Sequence, residues 1–190
     1  MLIKLSKLYL KFKIIVFVYN ILEVNYMYYI IIAILCVLLL KYDYICTRHQ
    51  NKRVGKAGEN KVKQQLAKLS TDYQVINDYH LCGRQIDHIV CKGNLIYVIE
   101  TKNWHGILRG DIADKYLNLS GKSVYNPFFQ NDKHCQVVKL RYPCCMVVSV
   151  ICFAGHCKLN VSNLCKSDAI ILSVNNLLPY IFRTSCDSSL

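Results

Sequence analysis

The sequence predicts a mixed α/β (α+β) domain with a central sheet flanked by helices, preceded by an N-terminal transmembrane helix. Three observations predict this architecture. An uncharged run of seventeen residues lies near the N-terminus, helical periodicities and short strand-like runs follow it, and 190 residues suffice for one core plus an appendage. The length excludes a multidomain enzyme, and a content of 53% hydrophobic residues excludes a disordered polyelectrolyte.

Residues 1–23 are interpreted as a basic, amphiphilic segment, because their apolar run is too short to cross a bilayer and is surrounded by lysines. Residues 24–40 contain no charge, and their length is just enough for a spanning helix. Tyrosines flank both ends of this run, as they do at membrane interfaces. We therefore expect a single-pass anchor at 24–40, followed by a juxtamembrane linker at 41–52.

A cleaved signal peptide and a buried core helix are the alternative interpretations of residues 24–40. The residues from Leu38 to Tyr42 are large, whereas a cleavage site requires small ones. Basic residues occur on both sides of the run, so the charge pattern leaves the membrane topology open.

The folded domain is assigned to residues 53–182 and a C-terminal tail to 183–190. Its first helix has an apolar stripe at spacings of three and four, with Glu59 at the edge of the stripe. A second helix should begin at Asn126-Pro127, a helix cap followed by proline, and end near Leu140. The remaining predicted elements are strands at 73–77, 85–91, 95–101, 115–119, 145–153 and 169–173, and a helix at 174–182.

The formal net charge of +12 favours a polyanionic neighbour, either nucleic acid or an anionic membrane face. Residues 1–60 contain nine basic and three acidic side chains, so half of the surplus lies around the predicted span. The other half belongs to the folded domain, where it permits nucleic-acid binding without establishing it. The domain's candidate phosphate contacts are Lys61, Lys63, Lys68, Arg84, Lys92 and Arg109.

The eleven cysteines are odd in number and irregularly spaced, and several lie inside apolar runs. This pattern predicts free thiols in a reducing compartment instead of a disulfide scaffold. A zinc site is the alternative, and its ligands would be Cys152, His156, Cys157 and Cys165. No Cys-x-x-Cys pair occurs in the sequence, which argues against it.

Two strand-like runs joined by Gly93-Asn94 predict a β-hairpin with a two-residue turn. In that register Asp87 lies directly opposite Glu100, and period-two alternation places Lys102 on the same face. Two opposed carboxylates repel each other unless a cation lies between them, and Mg²⁺ prefers such oxygen ligands. An ordinary surface ion pair between Lys102 and a neighbouring acid is the alternative.

Four stretches of the chain resemble, in order, the nuclease-related domain (NERD) family of the PD-(D/E)xK superfamily. They are Gly55-Lys56-Ala57-Gly58-Glu59, Gln85-Ile86-Asp87-His88-Ile89-Val90, Val98-Ile99-Glu100-Thr101-Lys102-Asn103 with Gly106, and Asn126-Pro127 with Gln130 and His134. Ile86 stands where the superfamily signature has proline, and the tryptophan that relatives often have within 108–124 is absent. The resemblance covers roughly residues 53–155.

The resemblance implies a restriction-endonuclease-like core and Mg²⁺- or Mn²⁺-dependent cleavage of phosphodiester bonds in nucleic acid, with DNA the expected substrate. By the same resemblance Asp87 and Glu100 would be metal ligands, and Glu59 an accessory metal ligand. Lys102 would orient water or stabilise developing charge, and Gln130 would support the cleft.

Four other residues, all histidine or tryptophan, lie within or next to these motifs. His88 alternates away from the acidic face and is expected to be a buried, hydrogen-bonded histidine. His134 lies one helical turn from Gln130, and the sequence leaves its direction open. Trp104 and His105 could stack on bases, although capping the end of the strand is the simpler expectation.

The sequence therefore predicts a membrane-anchored, metal-dependent nuclease with its domain in the cytoplasm. A non-cleaving nucleic-acid-binding module tethered to a membrane is the alternative function, and a domain that recruits only protein partners is a third. The oligomeric state is not predicted.

Overall fold

The structure, a computed structural model, describes residues 9–15 and 26–187. The predictions for residues 1–8, 16–25 and 188–190 lie outside the described residues. Within the described part the chain divides into two compact units, one ending at His49 and the other beginning at Gln50.

The first unit contains most of the apolar part of helix α1, which runs Tyr26–Leu66. Among the described residues, α1 is the one helix long and apolar enough to cross a membrane, judged by length and composition. Its apolar side chains, such as Ile31, Leu35 and Leu38, are about half exposed. Residues 41–52, predicted as the linker, are helical and belong to the same helix.

The second unit contains two sheets and two further helices. Its elements are β1 (Gln74–Leu81), β2 (Arg84–Lys92), β3 (Leu95–Lys102), β4 (Gly106–Asp111), β5 (Tyr116–Leu119), β6 (Lys122–Tyr125), α2 (Pro127–Arg141), β7 (Met146–Phe153), β8 (Cys157–Ser162), a 3₁₀ turn (Leu164–Lys166), β9 (Ile170–Ser173) and α3 (Val174–Asp187). The predicted mixed α+β class with sheets and flanking helices is confirmed.

The larger sheet has five strands in the order β1-β2-β3-β7-β9. Strands β1, β2 and β3 pair antiparallel, whereas β7 is parallel to β3 and β9 is parallel to β7. The smaller sheet has four strands in the order β6-β5-β4-β8, of which β4 and β8 are parallel. Both sheets are therefore mixed.

The predicted hairpin register is confirmed between β2 and β3. Lys92 pairs with Leu95 across the Gly93-Asn94 turn, and the ladder continues to the pair His88 and Ile99. Asp87 is the next residue along β2. Its Oδ2 accepts a hydrogen bond of 2.8 Å from the backbone N–H of Thr101, so its side chain is fixed to the end of β3.

Three hydrophobic clusters hold the sheets and helices together. The first lies between one face of the five-stranded sheet and helices α1 and α3, and includes Val62, Tyr97 and Leu177. The second lies between the opposite face and α2, and includes Val98 and Val138. The third joins the inner face of the four-stranded sheet to β7 and to the start of α2.

The sequence placed most elements but missed three strands. Helix α2 begins at Pro127 with the Asn126 side chain as its cap, as predicted. Strands β4, β6 and β8 were not predicted, because each is short and polar on its outward face. Helix α3 continues to Asp187, so it includes residues that were predicted as tail.

Candidate active site

Strand β3 presents its site residues toward helix α2. Alternation places Ile96, Val98, Glu100 and Lys102 on one face of the strand. Ile96 and Val98 pack in the cluster beneath α2, and Glu100 and Lys102 follow them where the strand ends. Two acid–base side chains are thereby held at the margin of a hydrophobic cluster.

Glu100 is the most deeply buried acid of this group, with 1% of its surface exposed. Its Oε1 accepts a hydrogen bond of 2.6 Å from Lys102 Nζ, and its Oε2 lies 3.4 Å from His134 Nδ1. Neither Oε2 nor His134 Nδ1 has a hydrogen-bond partner among the described residues. A buried carboxylate oxygen without a donor is available to a cation or water.

Lys102 connects β3 to α2. Its ammonium donates to Glu100 Oε1 and also, at 3.0 Å, to Gln130 Oε1. It lies 5.5 Å from the centre of the Trp104 ring. Gln130 therefore holds the lysine from the first turns of α2, and its supporting role in the cleft stays a prediction.

The pKa values of the two acids differ in direction because their surroundings differ. Burial and the nearby charge of Glu100 raise the pKa of Asp87 to about 7, against the opposing effects of the Thr101 N–H and Lys102. Burial also raises the pKa of Glu100, but the charge of Lys102 and the contact with His134 outweigh it, and the net pKa is lowered. Glu100 is therefore ionised at neutral pH, whereas the Asp87 carboxyl is partly protonated.

Glu59 lies on α1, with its side chain one quarter exposed. Its Oε2 is 3.3 Å from Lys56 Nζ, which also pairs with Asp78 at 3.3 Å. Its charge contributes to raising the pKa of Asp87, so it lies near that acid. The structure shows Lys56 as its direct partner, and its role as a metal ligand stays a prediction.

Helix α1 approaches the end of β3 closely because residue 58 is glycine. A Cβ at Gly58 would lie 2.5 Å from Asn103 Cβ and 3.4 Å from Ala154 Cβ. Asn103 Nδ2 also donates to the carbonyl oxygen of Val54 at 2.8 Å. The Gly-Glu pair of the first motif thus combines a close helix–strand contact with an acid whose charge contributes to the raised pKa of Asp87.

Two residues of α2 complete the surroundings of the site. His134 contacts Glu100, a direction that the sequence left open because the helical phase was uncertain. Asn131 is fully buried, and its Nδ2 donates to Val98 O, Ser149 Oγ and Val150 O. Sequence reasoning missed Asn131, whose only signal was its place as a polar residue on the inward, largely apolar face of the helix.

His88 lies away from the acids, as expected from strand alternation. It is 2% exposed, and its Nδ1–H donates a hydrogen bond of 2.7 Å to Asn77 Oδ1. Burial lowers the pKa of His88 to about 4. A histidine in this state is neutral, and it is part of the packing beneath α1.

The donor set suits a magnesium-like cation held by two carboxylates. Asp87 and Glu100 are close enough for their charges to interact, and Glu100 Oε2 is buried without a donor among the described residues. Within residues 9–15 and 26–187, no group of three or more His, Cys, Asp or Glu side chains is arranged to hold a metal ion. Mg²⁺ commonly uses one or two carboxylates with waters and substrate phosphates, so two acids fit it.

The zinc alternative is wrong for the described residues, because they contain no such group. Cys152 is buried in the cluster beneath α1, whereas Cys157 packs against the cluster of the four-stranded sheet. The two thiols therefore face different parts of the core. All ten cysteines whose side chains are described are free.

A family model described as the nuclease-related domain matches residues 54–154, more than half of the chain. The chain belongs to the nuclease-related domain family. The resemblance stated from the four motifs is confirmed, and every motif falls within the matched region. Membership in this family indicates a nuclease-like function and an interaction with nucleic acid.

The chain is also similar to an uncharacterized protein of Bacillus anthracis. The two are 31% identical over 158 residues, which cover 76% of this chain and 73% of that protein. No solved structure matches the chain.

Proposed function

We propose that this nuclease-related domain hydrolyses phosphodiester bonds of nucleic acid, with DNA as substrate, in a reaction that requires Mg²⁺ or Mn²⁺. The observation that supports this proposal is the cluster of Asp87, Glu100, Lys102 and Gln130 at the end of β3. The cluster contains one buried acid and one partly buried acid whose pKa values are shifted in opposite directions, which is typical of catalytic sites and not of surface ion pairs.

Asp87 and Glu100 would hold the cation, and Glu59 would add a third, outer carboxylate. The chemistry that Mg²⁺ or Mn²⁺ supplies when bound is Lewis-acid stabilisation of charge on phosphoryl oxygens. Because the pKa of Asp87 is about 7, protons compete with a cation for this acid at neutral pH. Cation binding should therefore strengthen as the pH rises through 7.

Lys102 would supply a fixed positive charge to the reacting phosphate. Its two acceptors, Glu100 Oε1 and Gln130 Oε1, set the direction of the ammonium before substrate arrives. A preorganised charge of this kind stabilises a transition state without further reorganisation. Gln130 would act as a positioning residue through Lys102.

The test is cleavage of plasmid DNA by the full chain in detergent micelles, with Mg²⁺ or Mn²⁺ and with EDTA. Lys102→Ala should lower the rate by about 10²–10³-fold, the loss typical of removing one preorganised charge contact. Lys139→Ala, at an exposed position on the same helix as Gln130, is the matched control and should retain the wild-type rate. Equal background nicking by all three proteins would refute the catalytic proposal.

The non-cleaving alternative is supported by one specific contact. The 2.6 Å ion pair between Lys102 and Glu100 neutralises the buried acid without any metal ion. A site held in this state would bind nucleic acid in a salt-sensitive way without turnover. The same assay distinguishes the two functions, because a non-cleaving module yields binding with no metal-dependent product.

We further propose that residues 24–40 anchor the protein in a membrane with its domain in the cytoplasm. The exposed apolar surface of α1 and the free thiols of the described cysteines support this placement. A membrane-impermeant maleimide should label the exposed Cys82, Cys144 and Cys165 only after cells are lysed. Labelling in intact cells would place the domain outside.

A further inference from the structure

The outer face of the four-stranded sheet has no covering element among the described residues. Along β5, Leu117 and Leu119 point into the core, whereas Tyr116 and Asn118 alternate outward. Arg109 of β4 pairs with Asn118 and is exposed on the same face. These residues lie within 108–124, where the candidate phosphate contact from the sequence is Arg109.

Two tyrosines lie side by side on this face. Tyr116 and Tyr125 are paired residues of β5 and β6, and their ring centres are 5.8 Å apart in an edge-to-face arrangement. Tyr116 is 56% exposed. Tyr125 is partly buried. The Tyr116 ring contributes little to packing, since more than half of its surface remains in water.

A lysine is associated with each ring. Lys115 Nζ lies 5.6 Å from the centre of the Tyr116 ring, and Lys133 Nζ lies 5.7 Å from that of Tyr125. Lys133 Nζ also donates to Tyr125 Oη at 3.0 Å. These four residues, the tyrosine platform, combine two aromatic rings with two positive charges. An ammonium group binds a phosphate more strongly than it binds an aromatic ring. Bound phosphates would therefore move the two lysines away from the tyrosines, and the rings would be free to stack on bases.

The tyrosine platform is directly connected to the candidate active site. Strand β6 ends at Tyr125, and Asn126 then caps helix α2. Lys133 follows Gln130 by three residues on α2, which places the two on one side of that helix. Gln130 in turn contacts Lys102. A nucleic-acid strand that runs from the platform along this side of α2 therefore passes from Lys133 to Gln130 in about one helical turn and continues toward Lys102.

We propose that the tyrosine platform binds unpaired nucleotides and that the substrate of this domain is single-stranded nucleic acid or an unpaired region beside the cleaved bond. This proposal rests on the proposed nuclease function. Bases stack on aromatic side chains only when they are not paired in a duplex, and nearby lysines neutralise the backbone phosphates. Charge complementarity with Lys115, Lys133 and Arg109 selects a polyanion as the occupant.

The experiment measures binding of the full chain in micelles to three labelled probes in EDTA, so that cleavage cannot occur. The probes are an oligothymidylate of about 15 nucleotides, within the range of known single-strand sites, its abasic sugar–phosphate counterpart and a duplex of the same length. The variants are Tyr116→Ala, Tyr116→Phe and Lys115→Ala. Lys139→Ala is the matched lysine control.

Tyr116→Ala should weaken oligothymidylate binding about tenfold, the effect of losing one stacked base, and should leave abasic binding unchanged. Tyr116→Phe keeps the ring and should bind as the wild type does. Lys115→Ala should weaken both single-stranded probes and reduce the salt dependence by about 0.7 in log–log slope. The wild type should prefer the oligothymidylate to the duplex.

Oligothymidylate binding that Tyr116→Ala does not change, duplex binding as tight as single-strand binding, or no binding at all would overturn the proposal. Cleavage assays on the same preparations separate it from the nuclease proposal. Lys102-dependent cleavage with no effect of Tyr116→Ala on binding would refute the platform alone. Tyr116-dependent binding without metal-dependent cleavage would refute the nuclease function alone.

Discussion

The five-stranded sheet is covered on both faces, by α1 and α3 on one side and α2 on the other, whereas the four-stranded sheet is covered on its inner face only. Two acids of the covered sheet have shifted pKa values: Glu100, which is buried, and Asp87, which is partly buried. The exposed face of the smaller sheet instead presents tyrosines and basic residues to solvent. Burial shifts the pKa values of the acids and so suits them to catalysis, whereas the exposed tyrosines and basic residues remain available for binding.

The largest predicted effect on stability tests whether the two faces of strand β5 differ in burial. Leu117→Ala should lower the free energy of unfolding by about 2–4 kcal/mol, because a 2% exposed leucine leaves a cavity. The adjacent Tyr116→Ala should cost less than about 1 kcal/mol, because that ring is mostly in water. Chemical denaturation followed by the fluorescence of the single tryptophan, Trp104, measures both. Equal costs would mean that the outer face is packed in solution.

A smaller effect concerns the close approach of α1 to the end of β3. Gly58→Ala should destabilise the domain by about 1–3 kcal/mol, because the new methyl group would overlap Asn103. Gly55→Ala, in the same helix with nothing within 4 Å of its Cβ position, should stabilise it by about 0.5–1 kcal/mol. Opposite signs in thermal denaturation are expected. The same sign for both would show that α1 does not pack closely there.

The effect of pH on Asp87 is expected to be of similar or smaller size. Its pKa of about 7, against an ordinary 3.8, means that the folded protein binds more protons than the unfolded chain between about pH 4 and 7. The free energy of unfolding should therefore fall as the pH rises across this window. Asp87→Asn removes this loss and should be about 1–3 kcal/mol more stable than wild type at pH 8, but no more stable at pH 4.

Divalent cations provide the control for that prediction. Mg²⁺ or Mn²⁺ at pH 8 should raise the melting temperature of the wild type, because a ligand that binds only the folded state stabilises it. Asp87→Asn should show a smaller increase. A stability difference that is constant from pH 4 to 8, or an equal cation response in both proteins, would contradict a shifted Asp87 beside a cation site.

The sequence was sufficient for the parts of the site that depend on local chain geometry. The Gly93-Asn94 turn specified the β2–β3 register, and alternation then placed Glu100 and Lys102 on one face. Asn126-Pro127 specified the start of α2 and so the position of Gln130. These predictions rest on turn chemistry and on the helix and strand periods, which act within a few residues.

Features that depend on distant contacts were not predictable. The direction of His134 depends on how α2 packs on β3, and the buried hydrogen bonds of Asn131 depend on the parallel pairing of β3 with β7. Strands β4 and β8 pair over some fifty residues of sequence. The tyrosine platform required the pairing of Tyr116 with Tyr125, which no pattern in single four-residue strands could specify.

The most direct test of the central claim is the single-turnover cleavage rate of a double-mutant cycle on Asp87 and Glu100. We predict that Asp87→Asn and Glu100→Gln each lower the metal-dependent rate by at least about 10³-fold. The double variant should be no slower than either single variant, because the two acids act as one unit. The account would be contradicted if the rate loss of the double variant equalled the product of the two single losses, or if all three variants cleaved at the wild-type rate.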